Sequence, residues 1–349
     1  MCRCHVFVVN LQTFPYHLRY LFAGTTPGKS NQERHISLLA DIARTRQGDK
    51  VVFYLEQVGF FGIFEVTSDE PLYVPRDGYL QEYFDKPLIY RVQIKPADVY
   101  AKPVSEWEAI DELPEKSRDI LWSLLYRKLK GKRGCSYLFP NESEKLFNLL
   151  RKKNKDKPIV ISDGQYYTYD AKKGIIIRKE GSYKYEDSPR SAKEHIQLGK
   201  SEADLQAWIC WHLGRDSTLD QIAPAQALQW FANEVYAGTG TQKIDILCIV
   251  KINNFREFRI IEIKNEKANS KDLMKQTQRY IWWLNSYQCE PSDKIKVFWI
   301  AKDFDEKAKY YADELENLEK NKGLDEVNLL TWKPNREKII LNPYSDHSS

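Results

Sequence analysis

The stretch that most constrains this chain is QKIDILCIVKINNFREFRIIEIKNEK, residues 242–267, in which two runs rich in Ile, Val, Leu and Phe flank a polar turn at Asn253-Asn254. Such runs predict two β-strands joined as a hairpin. In the second run Glu262 and Lys264 are two apart and project from one face of the strand, while Ile261 and Ile263 point to the other. In the first run Asp245 sits among Ile244, Ile246 and Leu247, where an unpaired charge is costly to bury. Sixteen residues lie between Asp245 and Glu262, enough for the second strand to return beside the first and bring the two carboxylates together. Neighbouring carboxylates repel unless a cation or a proton lies between them, and hard oxygen ligands of this kind suit Mg²⁺ or Mn²⁺. The expectation is a metal site.

Around this hairpin the periodicity predicts a helix over Ser201 to Leu213, strands near Asn233, over Ile244 to Val250 and over Phe258 to Ile263, and a helix over Lys271 to Ser286. A strand over Lys296 to Ala301 and a helix over Glu306 to Lys320 follow. Helices interleaved with strands predict an α/β domain. The other half reads differently. From Cys4 to about Pro96, the β-rich runs HVFVVN, KVVFYLEQVGFFGIFEV and LIYRVQI alternate with turns, predicting a small curved sheet or barrel. A helix is expected over Arg34 to Thr45, ahead of the Gly48-Asp49 turn, and a hairpin from Val51 to Leu55 and Gly62 to Val66. Ser105 to Asn154 reads as helical, with Ile120, Leu121, Leu124, Leu125 and Leu129 on one face and Leu146, Phe147, Leu149 and Leu150 on another. The organisation expected is a first domain over 1–155, a β-rich connector over 156–190 and a second domain over 191–349, with the boundary near Asp187 to Ser191.

A formal charge of +4 over this length does not by itself require a polyanionic partner. The basic runs Arg127 to Arg133 and Arg151 to Lys157 read either as phosphate-binding or as solvated helix ends. Six scattered cysteines without CxxC spacing indicate neither a disulfide scaffold nor a zinc knuckle. Cys2, Cys4 and His5 admit a metal reading, but Cys2, Cys4, Val6 and Val8 alternate with their neighbours as a strand does. With no apolar run of membrane-spanning length and no signal-peptide layout, the expectation is a cytoplasmic protein without a membrane partner.

Asp245 followed by Glu262-Ile263-Lys264 resembles the core motif of the PD-(D/E)XK nuclease superfamily, with Ile244 in place of the Pro that often precedes the first acid. Upstream, Glu202 in SEADLQAWICWHL shares the helix face of Leu205 and Ile209, whereas Asp204 does not, and it resembles the helical acid of many members. Glu234 resembles the acid before the glycine-containing turn of NucS-like enzymes, and Gln276 with Tyr280 resembles the Q-x-x-x-Y helix of RecB-like and NucS-like nucleases. The resemblance implies Mg²⁺ held by Asp245, Glu262 and the Ile263 carbonyl, with Lys264 positioning a water for phosphodiester hydrolysis. It also implies support from Glu234 or Glu202 for Lys264 or a second metal, and from Gln276 for the metal site or the nucleic-acid backbone. Taken singly, Glu262 and Lys264 also read as an exposed ion pair and Glu202 as a charge favoured at a helix N-terminus.

The opening strand, the Gly48-Asp49 turn into VVFY and the returning strand from Gly62 to Ser68 resemble the EVE domain of the PUA-like group, over about residues 1–155. The expected architecture is therefore an α+β PUA-like (EVE) barrel domain followed by an α/β PD-(D/E)XK restriction-endonuclease-like domain. EVE domains are associated with modified bases in DNA, and a flipped base needs aromatic faces to replace its lost stacking. Phe14, Tyr16, Phe53 and Tyr54, placed at strand ends, are the pocket candidates, and each reads more readily as core, because aromatics in short strands usually pack inward. The combined expectation is a modification-dependent endonuclease acting on double-stranded DNA, with modified cytosine as the expected target. A repair or structure-specific nuclease is the alternative. A third reading is an RNA-binding protein with a degenerate nuclease centre, against which intact Asp245, Glu262 and Lys264 speak. Double-strand cutting usually takes two sites, so a homodimer is one hypothesis, with the Trp282-Trp283 helix available for its interface but reading more readily as core.

Overall fold

The structure, a computed structural model, describes residues 3–26, 35–111, 134–188, 190–238, 242–336 and 338–345. The described residues form two compact units, the first running through His195 and the second from Ile196 onward. Both mix helices with sheet. Among the described residues no helix is long and apolar enough to cross a membrane.

In the first unit, β1 (Cys4–Val9) lies parallel to β3 (Lys50–Leu55) and antiparallel to β7 (Cys135–Leu138). Helix α2 (Ile36–Ala43) precedes β3, and next to β3 runs β4 (Gly59–Val66), which hands on to β6 (Tyr90–Pro96). Strand β6 also pairs with β2 (Phe22–Thr25) and β5 (Leu72–Tyr73). Along β6 the pairing passes from β2 and β5 at Tyr90 and Arg91 to β4 at Ile94 to Pro96. The period-two pattern of β1 sends Cys4 and Val6 into a core with Val52, Tyr54 and Leu138. The helix α4 (Pro140–Lys153) closes that core with Leu146, Phe147 and Leu150, each contributing about 1.5–3 kcal/mol by burial. His5 points the other way, to Asp49 at 2.8 Å, and Asp49 also accepts from Arg3 at 2.7 Å. Cys4 is thus a core residue and His5 serves the Gly48-Asp49 turn; Cys2 lies outside the described residues.

Several expectations change. Phe14 and Tyr16 stand on a helix, α1 (Phe14–Tyr20), rather than at strand ends, because Pro15 occupies the start of the helix, where its missing N–H leaves no bond unmade. The Ser105 to Asn154 region is interrupted by β7, between α3 (Glu106–Asp111) and α4. The leucine face from Ile120 to Leu129 and the run Arg127 to Arg133 lie outside the described residues. Arg151 to Lys153 form the last turn of α4, and Arg151 and Lys153 pair with Asp98 and Glu108. The segment 156–190 belongs to the first unit. It supplies the hairpin β8 (Gln165–Asp170) and β9 (Ile175–Glu180), and β10 (Arg190–Ser191) beside β5.

The second unit is built on a six-stranded sheet. A meander of β11 (Leu228–Tyr236), β12 (Lys243–Ile252) and β13 (Phe255–Ile263) is antiparallel. Strands β15 (Lys294–Ala301) and β17 (Leu324–Asn335) continue it in parallel with β13, and β18 (Lys338–Pro343) closes the edge antiparallel to β17. The crossovers are α6 (Ser270–Tyr287) and α7 (Ala308–Glu319), and α5 (Glu202–His212) precedes the sheet. Short strands β14 (Lys267–Ala268) and β16 (Asp303–Phe304) pair beside it. On α6, Trp283 is buried, whereas Trp282 is 47% exposed and donates to the Glu319 carboxylate.

Candidate active site

The hairpin does what the Asn253-Asn254 turn predicts: both asparagines take positive φ, and the strands pair outward from Ile252–Phe255 to Ile246–Ile261. One step further, Asp245 falls opposite Glu262, and the regular ladder gives way to side chains. The Asp245 N–H donates to Glu262 Oε1 at 3.2 Å, and Asp245 Oδ2 accepts from the Ile263 N–H at 2.8 Å. On the other side of β12, Asn233 pairs with Ile246 and Val235 with Ile244, which sets Glu234 opposite Asp245. Glu234, Asp245 and Glu262 therefore form one row across three adjacent strands, on one face of the sheet.

Two lysines and a glutamine hold this row. Lys243 donates to Glu234 Oε2 at 2.8 Å. Lys264 Nζ donates to the Ile263 carbonyl at 2.9 Å and lies 4.0 Å from Asp245 Oδ2 and 3.6 Å from Glu202 Oε1. Gln206 donates to Glu234 Oε1 at 3.3 Å and to the Asp245 carbonyl at 3.1 Å. Sequence reading passed over Lys243 and Gln206. The available signal for Gln206 was its position four residues after Glu202, on the same side of α5.

The helix that presents Glu202 corrects the sequence reading of its faces. Asp204 is the buried acid: it accepts from Ser201 Oγ at 2.6 Å and from the Gln197 N–H at 2.8 Å, closing the helix start. The Glu202 side chain is 45% exposed and still reaches Lys264. Because α5 is buried on nearly every side, it has no single apolar face to read.

Burial governs the electrostatics. Glu262 is fully buried, and desolvation together with the adjacent Asp245 charge raises its carboxyl well above the usual range. Asp245 is pushed up to about 7 by burial, against the lowering pull of Lys264. Burial depresses the Lys264 ammonium, but the charges of Asp245, Glu202 and Glu262 outweigh it and raise the group overall. Glu262 Oε2 is buried without a hydrogen-bond partner. Four acidic side chains (Glu202, Glu234, Asp245, Glu262) thus surround two ammonium groups (Lys243, Lys264), and negative charge exceeds positive only once Asp245 and Glu262 are both ionised. Donors available to a hard cation are Asp245, Glu262 and the Ile263 carbonyl. Among the described residues, no group of three or more His, Cys, Asp and Glu side chains is arranged to hold a metal.

Helix α6 covers the same face. Trp299, beside Glu262 on β15, donates to Thr277 of α6 at 3.0 Å. One turn of α6 carries Gln276, which donates to the Tyr280 hydroxyl, and that hydroxyl donates to the Lys243 carbonyl at 2.6 Å. Burial raises the Tyr280 phenol, and Glu262 and Asp245 raise it further, so the ring stays neutral beside the carboxylates. Gln276 acts through Tyr280 on β12.

In the first unit, the four aromatic candidates separate. Phe14 and Phe53 are fully buried with ring centroids 5.6 Å apart, and Tyr54 packs within the core against Phe60, its ring tilted at 44° with centroids 5.0 Å apart. Tyr16 is half-buried and stacks on Tyr83 at 5.0 Å and edge-on to Phe84 at 5.5 Å. Of the four, only Tyr16 is partly buried rather than buried.

No protein-family model matches the chain, and no curated protein does. Among solved structures, a structural-genomics protein from Agrobacterium tumefaciens is 14% identical, aligned over 46% of this chain and 100% of its own, at a TM-score of 0.29. The restriction endonuclease FokI is 10% identical over 61% of this chain and 40% of FokI, at a TM-score of 0.24. FokI bound to DNA is 11% identical over 54% of this chain and 39% of its own, at 0.23. Likenesses this slight bear neither on the fold nor on the activity, which rest on the residues themselves.

Proposed function

We propose that the second unit is a metal-dependent nuclease that hydrolyses phosphodiester bonds in double-stranded DNA. The observation that carries this reading is the pairing of Asp245 with a fully buried Glu262 whose Oε2 has no partner, beside Lys264. A buried carboxylate oxygen without a donor is expensive unless a cation or a proton completes it. Asp245, Glu262 and the Ile263 carbonyl would hold Mg²⁺ or Mn²⁺, which when bound polarises the scissile phosphate and acidifies a water. Lys264 places an ammonium at the same carbonyl and aims it where negative charge develops on the phosphate. Glu202 and Glu234 hold the two lysines in place, and Gln206 fixes Glu234 and the Asp245 main chain.

For the first unit the reading is a PUA-like, EVE-type domain that senses a modified base, with modified cytosine the first candidate, and directs the cut; two chains acting together would cut both strands. The test compares otherwise identical plasmids with and without cytosine modification, in Mg²⁺. Cleavage of the modified plasmid alone supports the full reading. Equal cleavage of both removes modification dependence and favours a repair or structure-specific nuclease, and cleavage of neither overturns the nuclease.

A further inference from the structure

Strands β13, β15 and β17 are parallel, so their C-terminal ends share one edge of the sheet, the edge where Glu262 and Lys264 stand. Pairing of β17 with β15 stops at Ala301–Thr331, but β17 continues to Asn335 and pairs with β18 as far as Asn335–Lys338. The hairpin therefore overhangs the edge by four residues of β17, roughly 13 Å at strand rise. Its sequence there, WKPNREK, carries Lys333, Arg336 and Lys338 against the single acid Glu337. One contact docks it beside the site: the Trp332 indole donates to the Lys264 carbonyl at 3.0 Å.

Register fixes which way the charges point. Glu262 pairs with Trp299 and Trp299 with Leu329, so Leu329, Thr331 and Lys333 alternate onto the face of Glu262 and Lys264. Lys338 joins them through its pairing with Asn335. The residues on the opposite face, Trp332 and Ile339, are buried. Lys333, Arg336 and Lys338 are exposed, and none forms an ion pair among the described residues. At the opposite edge Lys294 and Lys296 lie near Asp325 at 3.9 and 3.7 Å and Lys322 pairs with Glu319 at 3.0 Å, while Lys251 and Lys320 stand exposed without an ion pair among the described residues.

We infer that the β17–β18 hairpin is a backbone-binding arm: Lys333, Arg336 and Lys338 engage the phosphates of the duplex that the site cuts. This rests on the nuclease reading. Phosphate contacts position a duplex without reading sequence, and each one lowers the slope of log K against log salt by about 0.9. The test measures binding of the full chain to a short fluorescent DNA duplex in EDTA, over a salt series. The variant replaces Lys333, Arg336 and Lys338 by Gln; a control with the same charge change replaces Lys294, Lys296 and Lys322 by Gln. Expected for the first is a salt slope shallower by about 2–3 and affinity at least tenfold weaker near physiological salt, with the control close to wild type. Equal effects in both variants, or none in the first, overturn the arm while wild-type cleavage leaves the nuclease standing. A wild-type chain that neither binds nor cuts DNA overturns both.

Discussion

Asp245 and Glu262 meet where the β12–β13 ladder ends: the main-chain N–H of Asp245 donates to the Glu262 carboxylate, while the Asp245 carboxylate takes the N–H of Ile263. Each acid commits one oxygen to the other strand's end of the hairpin. This holds two carboxylates together in a buried place at a cost to stability, as sites built for charge do.

That cost has a pH signature. Burial raises the Asp245 carboxyl to about 7 and the Glu262 carboxyl well above its usual range, so between about pH 4 and 7 the folded state binds more protons than the unfolded chain. Stability from these groups is full at low pH and is lost as pH rises through the folded values, on the order of 1.4 kcal/mol for each tenfold difference in proton affinity between the folded and unfolded states. In EDTA, Asp245→Asn is expected to raise Tm at pH 7.5 by several degrees relative to wild type, and to differ little from it at pH 4.5. A variant less stable at pH 7.5 would contradict the strain. Mg²⁺, which requires ionised carboxylates, should raise the wild-type Tm more at pH 8 than at pH 6.

Gln206 is a positioning residue. Its amide links Glu234 to the Asp245 main chain, so Gln206→Leu leaves Glu234 with Lys243 alone. Expected is a drop in kcat of about tenfold with little change in KM, and a cleavage-pH profile displaced from wild type; Gln206→Glu should not rescue it, because a carboxylate cannot donate to the Asp245 carbonyl. Wild-type kcat in Gln206→Leu would remove the role.

Tyr280 joins α6 to the strand carrying Asp245. Tyr280→Phe removes a hydroxyl that accepts from Gln276 and donates to Lys243, leaving that carbonyl without it. Chemical denaturation should show a loss of about 1–3 kcal/mol, and Gln276→Ala a smaller one. If both variants keep wild-type stability, the link has no structural weight.

In the first unit, core and candidate pocket part experimentally. Phe53→Ala empties a fully buried position and should cost about 3–5 kcal/mol, with loss of folded first unit by circular dichroism. Tyr16→Ala should keep the fold and lower the preference for modified over unmodified plasmid. A Tyr16→Ala chain with unaltered preference moves base reading away from this ring.

What the sequence makes legible follows from how local each signal is. Glu262 and Lys264 could be placed from strand alternation alone, and Asp245 from a charge amid isoleucines. Glu202 and Asp204 could not be sorted by face, because α5 is buried almost all round and burial of Asp204 follows from its hydrogen bonds at the helix start. Helix α1 was hidden by its aromatic residues, whose strand preference was overridden by Pro15 and by packing on Phe53 and Phe61. The β17–β18 hairpin lacks continuous apolar alternation at its polar tip, so only its pairing with β15 reveals that it reaches the active-site edge.

The most direct measurement is Mg²⁺-dependent cleavage of DNA by wild type and Lys264→Ala, with the fold of each checked by thermal unfolding. Expected is cleavage by wild type that EDTA abolishes, and a folded Lys264→Ala chain with no cleavage above background. A folded Lys264→Ala chain that cuts as well as wild type would contradict the active site built around Asp245, Glu262 and Lys264.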